Sequence, residues 1–408
     1  MTTVAAFIAV LATIAADGGD GASSAQQELP SAWRAPDGGD DTGVFAGAQL
    51  FAGFEAPLLP SQPTTVPRFV LERVEVGGGF VWQRAVTGVV RFEGVRSAGP
   101  QSAFGIDRNS LLPRVRLAYA SFEPTFVLAG VNVNVNVRAG LVPERWLERL
   151  EGQSSLRGLV ALPTERAGLL STSDLGASAG VSLADGLFEV DVIAGNGEGK
   201  AEVELNAGKN LTVIASSTPL RLVVFDEVLA LTAAIAWRDG SVGVSSTRDH
   251  RGLAALTASH PWFHVGVEAA LAHGVDGRAD RELLLLGAWA DLPLWPGWCG
   301  VVARTDVTQA LVTGSDGATT TDVIVGVFSD LGHPEVAGRR AGELLRRSRV
   351  YLTGGWRQTL GDVAIVADAA AAWRIAITVE LTGLTDVFAV PMAASSHETQ
   401  RGIDDPLP

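Results

Sequence analysis

One cysteine, two lysines and two tyrosines among 408 residues are the scarcest features of the chain. A lone Cys299 excludes an intrachain disulfide and any cysteine-rich metal site. Lys200 and Lys209 are the only lysines, and the net charge is −14, which argues against a nucleic-acid partner. No stretch beyond the N-terminus offers 18 uninterrupted apolar residues, so the chain does not cross a membrane with helices. Enzyme signatures are scarce as well. There is no Gly-x-Ser-x-Gly element and no zinc-protease helix motif. Gly195-Asn-Gly-Glu-Gly199 lacks the helix and spacing of a phosphate-cradling loop. His260 and His264 stand four apart, but Pro261-Trp-Phe lies between them in a strand-like context. The expectation is a protein that is not an enzyme, with no catalytic residues, no cofactor and no metal.

What is present is apolar and glycine-rich: 47% hydrophobic residues and 47 Gly, too much greasy surface for a disordered chain. Val4 to Ala16 has no charge and is too short to span a bilayer, so residues 1–16 read as a secretory signal peptide, although no Lys or Arg precedes it. Residues 17–65 read as an acidic Gly/Pro-rich leader and entry to the folded part, and 391–408 as a polar tail.

Between these ends, pieces of about ten residues alternate with period two. Val131-Asn-Val-Asn-Val-Asn-Val-Arg138 puts four valines on one face and Asn132, Asn134, Asn136 and Arg138 on the other. Trp373 to Leu381 and Phe188 to Val192 alternate likewise. In Arg114 to Ala120, strict alternation sets Val115, Leu117 and Tyr119 opposite Arg114, Arg116, Ala118 and Ala120. Turn signals lie between the pieces: Gly77-Gly-Gly79, Asp185-Gly186, Asp239-Gly240, Asp276-Gly277 and Gly361-Asp362.

Such a chain is all-β. In water its apolar faces would close a sandwich core, giving a soluble or surface binding module for a glycan-type ligand. In a bilayer the same faces meet lipid. The segments match tilted membrane strands in length and exceed what one sandwich uses. Aromatic residues gather near segment ends, where an interfacial girdle would lie. Residues 66–390 are therefore expected to form an antiparallel, up-and-down transmembrane β-barrel of about 16 strands (roughly 14–18) in the bacterial outer membrane.

The segments Leu112-Pro-Arg-Val-Arg-Leu-Ala-Tyr-Ala-Ser-Phe122, Val137-Arg-Ala-Gly-Leu-Val-Pro-Glu144, Leu175-Gly-Ala-Ser-Ala-Gly-Val181, Val192-Ile-Ala-Gly-Asn-Gly-Glu-Gly199 and Gly300-Val-Val-Ala-Arg-Thr-Asp306 together resemble outer-membrane porins of the phosphate-selective O/P type, over residues 43–390. That resemblance implies a 16-stranded barrel, often trimeric, with a long loop folded into the pore. Two departures stand against it. The family's basic funnel has no match in a chain with two lysines, and no aromatic residue closes the C-terminus, Phe388 being the nearest.

The function expected is passive diffusion of small hydrophilic solutes or anions, with outer-membrane lipid and, in a homotrimer, two further copies as partners and no nucleic acid. The segment 143–173 holds Glu144, Arg145, Glu148, Arg149, Glu151, Arg157, Glu165 and Arg166, with Trp146, Leu147 and Leu150 at helical spacing. It is expected either to constrict the lumen, with Arg145 and Arg149 sorting solutes, or to lie solvated. Arg91, Arg114, Arg116 and Arg138 fall on polar strand faces with Asn132, Asn134 and Asn136. They form either a basic ladder for anions or cross-strand pairs with Glu93, Glu189 and Asp191. Arg339, Arg340, Arg346, Arg347 and Arg349 suggest a short helix in a loop, facing lipopolysaccharide or water. A barrel too plugged to conduct, serving as a scaffold, is the remaining alternative.

Overall fold

The computed structural model describes residues 43–57, 67–82, 85–96, 111–151, 161–197, 209–241, 247–295, 298–312, 318–331, 348–360 and 370–381. The strands are β1 (Gly43–Pro57), β2 (Arg68–Trp82), β3 (Val86–Arg96), β4 (Leu111–Phe122), β5 (Thr125–Leu128), β6 (Val131–Pro143), β7 (Ser173–Leu183), β8 (Phe188–Gly195) and β9 (Asn210–Val224). There follow β10 (Glu227–Ser241), β11 (Arg248–His260), β12 (Phe263–His273), β13 (Arg281–Trp295), β14 (Cys299–Val312), β15 (Thr319–Asp330), β16 (Arg349–Leu360) and β17 (Ala370–Leu381). Two short helices, α1 (Arg145–Glu151) and α2 (Pro163–Arg166), lie between β6 and β7.

All 17 strands belong to one sheet. Apart from β4 and β5, which do not pair with each other, each pairs antiparallel with its sequence neighbours, and β17 pairs with β1 from Ala48↔Leu381 to Pro57↔Ala372, so the ladder returns to its start. β4 and β5 share a partner: Phe122 faces Val137 and Thr125 faces Asn134, both on β6. They are one stave bent at Glu123-Pro124, where proline has no N–H to give the ladder. Counted as one, they leave 16 staves, and an up-and-down ring with antiparallel neighbours throughout requires an even number. The sandwich alternative is not what forms. The sheet also starts earlier than the sequence suggests, at Gly43 rather than near 66. The signal peptide and polar tail lie outside the described residues.

The faces are the reverse of those of a water-soluble protein. Val190, Val192, Ile235, Leu256, Val267, Leu271 and Leu286 are exposed, while Asp191, Arg238, Arg251 and Glu268 on the same strands, and Arg304 and Asp306 on β14, are buried. On β6 Val137 is exposed and Arg138 buried. Val133 stands in register between Phe126 and Leu183, both exposed, and is itself buried. Exposed Trp82, Phe126, Phe225, Trp262 and Trp295 all sit at one end of the barrel, beside its short turns. That end has connections of two to four residues, at 83–85, 129–130, 184–187, 225–226, 261–262 and 296–298. It also carries the longer β15–β16 connection, 331–348, while 97–110, 144–172 and 196–209 lie at the other end.

Two local expectations fail for backbone reasons. In β4, Arg91 faces Leu117 while Phe92 faces Val115, so Arg116 is a bulged extra residue. Beyond it Leu117 and Tyr119 pack inward with Phe45 and Val89, on the side of the arginines rather than opposite them. Gly77-Gly-Gly79 is no turn but lies within β2. A Cβ on Gly77 would stand 2.3 Å from the Val90 carbonyl oxygen, so these glycines admit the neighbouring backbones.

Candidate functional site: a loop held inside the barrel

The 144–172 connection lies inside the ring. Its side chains reach Arg73 on β2, Arg116 on β4, Arg138 on β6, Asp191 on β8, Ser216 on β9, Arg238 on β10, Glu268 on β12 and Asp322 on β15, and its Ala161 carbonyl accepts from Arg304 on β14. Only the interior of a closed barrel lets one segment touch strands so far apart around the circumference.

Apolar packing comes first. Trp146, Leu147, Leu150, Leu162, Leu169 and Leu170 form one buried cluster with the inward Ile193, Ile214, Leu253, Leu285, Trp289 and Val302. Each such side chain contributes about 1.5–3 kcal/mol relative to exposure. The helical spacing read at Trp146, Leu147 and Leu150 is thus the loop's seat on the wall. Gly287 completes it: a Cβ there would lie 2.5 Å from Pro163 Cγ.

Polar contacts then fix the position. The Trp146 indole N–H and the Thr164 hydroxyl both donate to Glu268 Oε1, at 2.7 and 2.9 Å, so one wall oxygen holds both helices. Arg145 pairs with Asp191 at 3.0 Å and Glu148 at 2.6 Å. Arg149 pairs with Asp191 at 3.0 Å and Glu189 at 2.5 Å, and donates to the Ser216 hydroxyl. Burial alone would raise the carboxyl of Glu148, but Arg138 and Arg145 overcome that and hold it down at about 2. Burial raises that of Glu144, and Arg238, 3.8 Å away, offsets this only in part.

The sequence-predicted residues sort as follows. Arg91, Arg116 and Arg138 are inward and buried. Arg91 and Arg116 both pair with Glu75, and Arg114 with Glu93 at 2.7 Å. Of the cross-strand partners expected for the arginines, only Glu93 serves one of this row; Glu189 and Asp191 hold the loop's Arg145 and Arg149 instead. Asn132 donates to Asp185 near the short-turn rim, and Asn134 accepts from Thr125. Asn136 is half-buried, its Oδ1 without a hydrogen-bond partner among the described residues. His260 is bound to the Val224 carbonyl, a backbone role.

Of the 339–349 arginines only Arg349 is described. It faces inward over Phe328 and pairs with Asp291 at 3.0 Å and Asp330 at 2.5 Å. Arg339, Arg340, Arg346 and Arg347, expected to face lipopolysaccharide or water, lie outside the described residues. Sequence reading missed Arg73, Glu75, Arg238, Glu268, Arg304 and Asp322. Glu268 left a trace, a lone carboxylate sharing its face with Gly266 and Ala270, but its partners lie more than a hundred residues away.

Neither a protein-family model nor a curated protein matches the sequence. Solved structures do match in fold. The trimer form of OmpT, an outer-membrane protein of Vibrio cholerae, superposes with a TM-score of 0.53 at 12% identity, over 84% of this chain and 100% of that one. OmpF of Salmonella typhi, in complex with daunomycin, gives 0.53 at 11%, over 83% and 97%. An anion-selective porin from Comamonas acidovorans gives 0.50 at 11%, over 83% and 100%. At such identities the likeness is one of architecture: the chain has the porin-like fold of the outer-membrane β-barrels.

Proposed function

We propose that this chain is a porin of the bacterial outer membrane, a passive diffusion channel for small hydrophilic solutes narrowed by its 144–172 loop. The observation that carries the reading is the charged segment clamped inside a closed barrel whose outer face is apolar. A buried apolar seat plus ion pairs on many strands keeps the loop from swinging out, so it narrows the lumen permanently. Transport is then downhill and needs no cofactor. The trimer form of the Vibrio protein supports a homotrimer here, with lipid covering the remaining outer wall.

Anion preference is the finer part of the reading. The resemblance to phosphate-selective porins and the anion selectivity of the Comamonas protein favour it. The pairing of Arg91, Arg114, Arg116 and Arg138 with carboxylates weakens it, because a compensated guanidinium attracts anions poorly. We therefore assign Arg145 and Arg149 to anchoring rather than filtering. Their replacement by Ser is expected to enlarge conductance without reversing ion preference. The apolar cluster under the loop favours a second reading, a barrel filled and non-conducting. Planar-bilayer recording separates the two: stepwise, ohmic openings support the porin, and a folded, inserted barrel without steps supports the scaffold.

A further inference from the structure

The charged groups of the loop differ in their access to water. Side chains of the α1 region are sealed: Arg145, Arg149 and Glu151 are 5%, 6% and 8% exposed. On α2, Glu165 and Arg166 are 17% and 25% exposed, the most accessible charges of the loop among the described residues. A solute moving through water meets the second set and not the first.

The two α2 side chains also reach in different directions. Glu165 pairs with Arg73 on β2 at 3.3 Å. Arg166 pairs with Asp322 on β15 at 2.9 Å and lies 3.5 Å from Asp306 on β14. Between β2 and β15 the ring runs through β1, β17 and β16, so α2 stands as a crossbar facing that quadrant of the wall. Pro163 against Gly287 and Thr164 on Glu268 hold the bar from behind.

We infer that Arg73, Glu165, Arg166 and Asp322 form the filter of the proposed channel, a row of alternating charge with no net sign. This rests on the porin reading. A row of zero net charge does not draw one kind of ion over the other, so small anions and cations pass alike with neutral and zwitterionic solutes of their size. Removing one member leaves the row with one net charge of the opposite sign, although Arg73 keeps Glu75 and Glu151 and Arg166 keeps Asp306 nearby, and that excess sets the new preference.

The test is the reversal potential of the full-length protein in planar bilayers under a KCl gradient, with folding checked by heat-dependent gel migration. Wild type is expected near zero. Glu165→Gln is expected to shift permeability toward chloride and Arg166→Gln toward potassium. Each shift should be about threefold or more, the effect of one unit charge acting over about 7 Å in a water-like dielectric. The double variant is expected to return to wild-type behaviour. If a loop variant does not assemble, Arg73→Gln and Asp322→Asn make the same test from the wall, with shifts toward potassium and chloride respectively. Conducting variants with unmoved reversal potentials overturn the filter and leave the porin reading standing. A strongly ion-selective wild type also overturns the filter alone. A folded wild-type barrel that passes no current overturns both.

Discussion

At the scale of single residues, burial and pairing decide what a charge does. Glu268 accepts from Trp146 and Thr164, and its other oxygen has no hydrogen-bond partner among the described residues. Glu268→Ala should leave two buried donors unsatisfied, a cost of about 1–3 kcal/mol, and loosen both helices. Glu268→Gln keeps the accepting oxygen and should not. Hydrogen exchange of the loop amides measures this, and equal exchange in the two variants would remove the latch. Glu148 yields a pH prediction. Its folded-state pKa of about 2 lies below the ordinary glutamate value, so its stabilisation is complete above that ordinary value and disappears as pH falls through about 2. The difference in loop protection between wild type and Glu148→Gln should therefore persist from pH 7 to the ordinary glutamate range and vanish only near pH 2. Loss of that difference already at the ordinary carboxylate value would contradict the double arginine grip. Sequence alone marked Arg91, Arg116 and Arg138 as inward, because alternation fixes a face. It did not reveal that two of them share Glu75, because that depends on register across three strands.

Elements were legible where alternation is strict and opaque where the backbone breaks it. On β6 Val137 is exposed and Arg138 buried, as strict alternation predicts, whereas the bulge at Arg116 turns Leu117 and Tyr119 inward. A bulge has no composition signal when both residues suit a strand. Glycine misled at 77–79 because turns and close strand approach ask for the same missing Cβ. Gly77→Val is expected to cost about 1–3 kcal/mol, read as a lowered temperature of gel-shift unfolding, since the side chain meets backbone on β3. An unchanged midpoint would mean the strands have room to part. On β10, Ile235 faces out near mid-strand. Ile235→Lys should cost about 2–4 kcal/mol of barrel stability at the bilayer midplane, measured by denaturant unfolding in lipid. A neutral result would mean this face does not meet hydrocarbon.

For the whole molecule, closure joins these observations. Pairing of β17 with β1 removes both sheet edges, and the even count of staves follows once β4 and β5 are taken as one. The barrel was foreseeable from segment length, strand number and the placement of aromatics. The loop's residence inside was not, since its charges suit a solvated surface equally well; only contacts on strands around the ring place it. A sealed apolar seat behind and an accessible charged bar in front are what a permanent constriction requires. The most direct test of that account is the single-channel current of the wild-type protein in a planar bilayer. Discrete ohmic steps with a reversal potential near zero in a KCl gradient are predicted, and a folded, inserted barrel that shows no steps would contradict it.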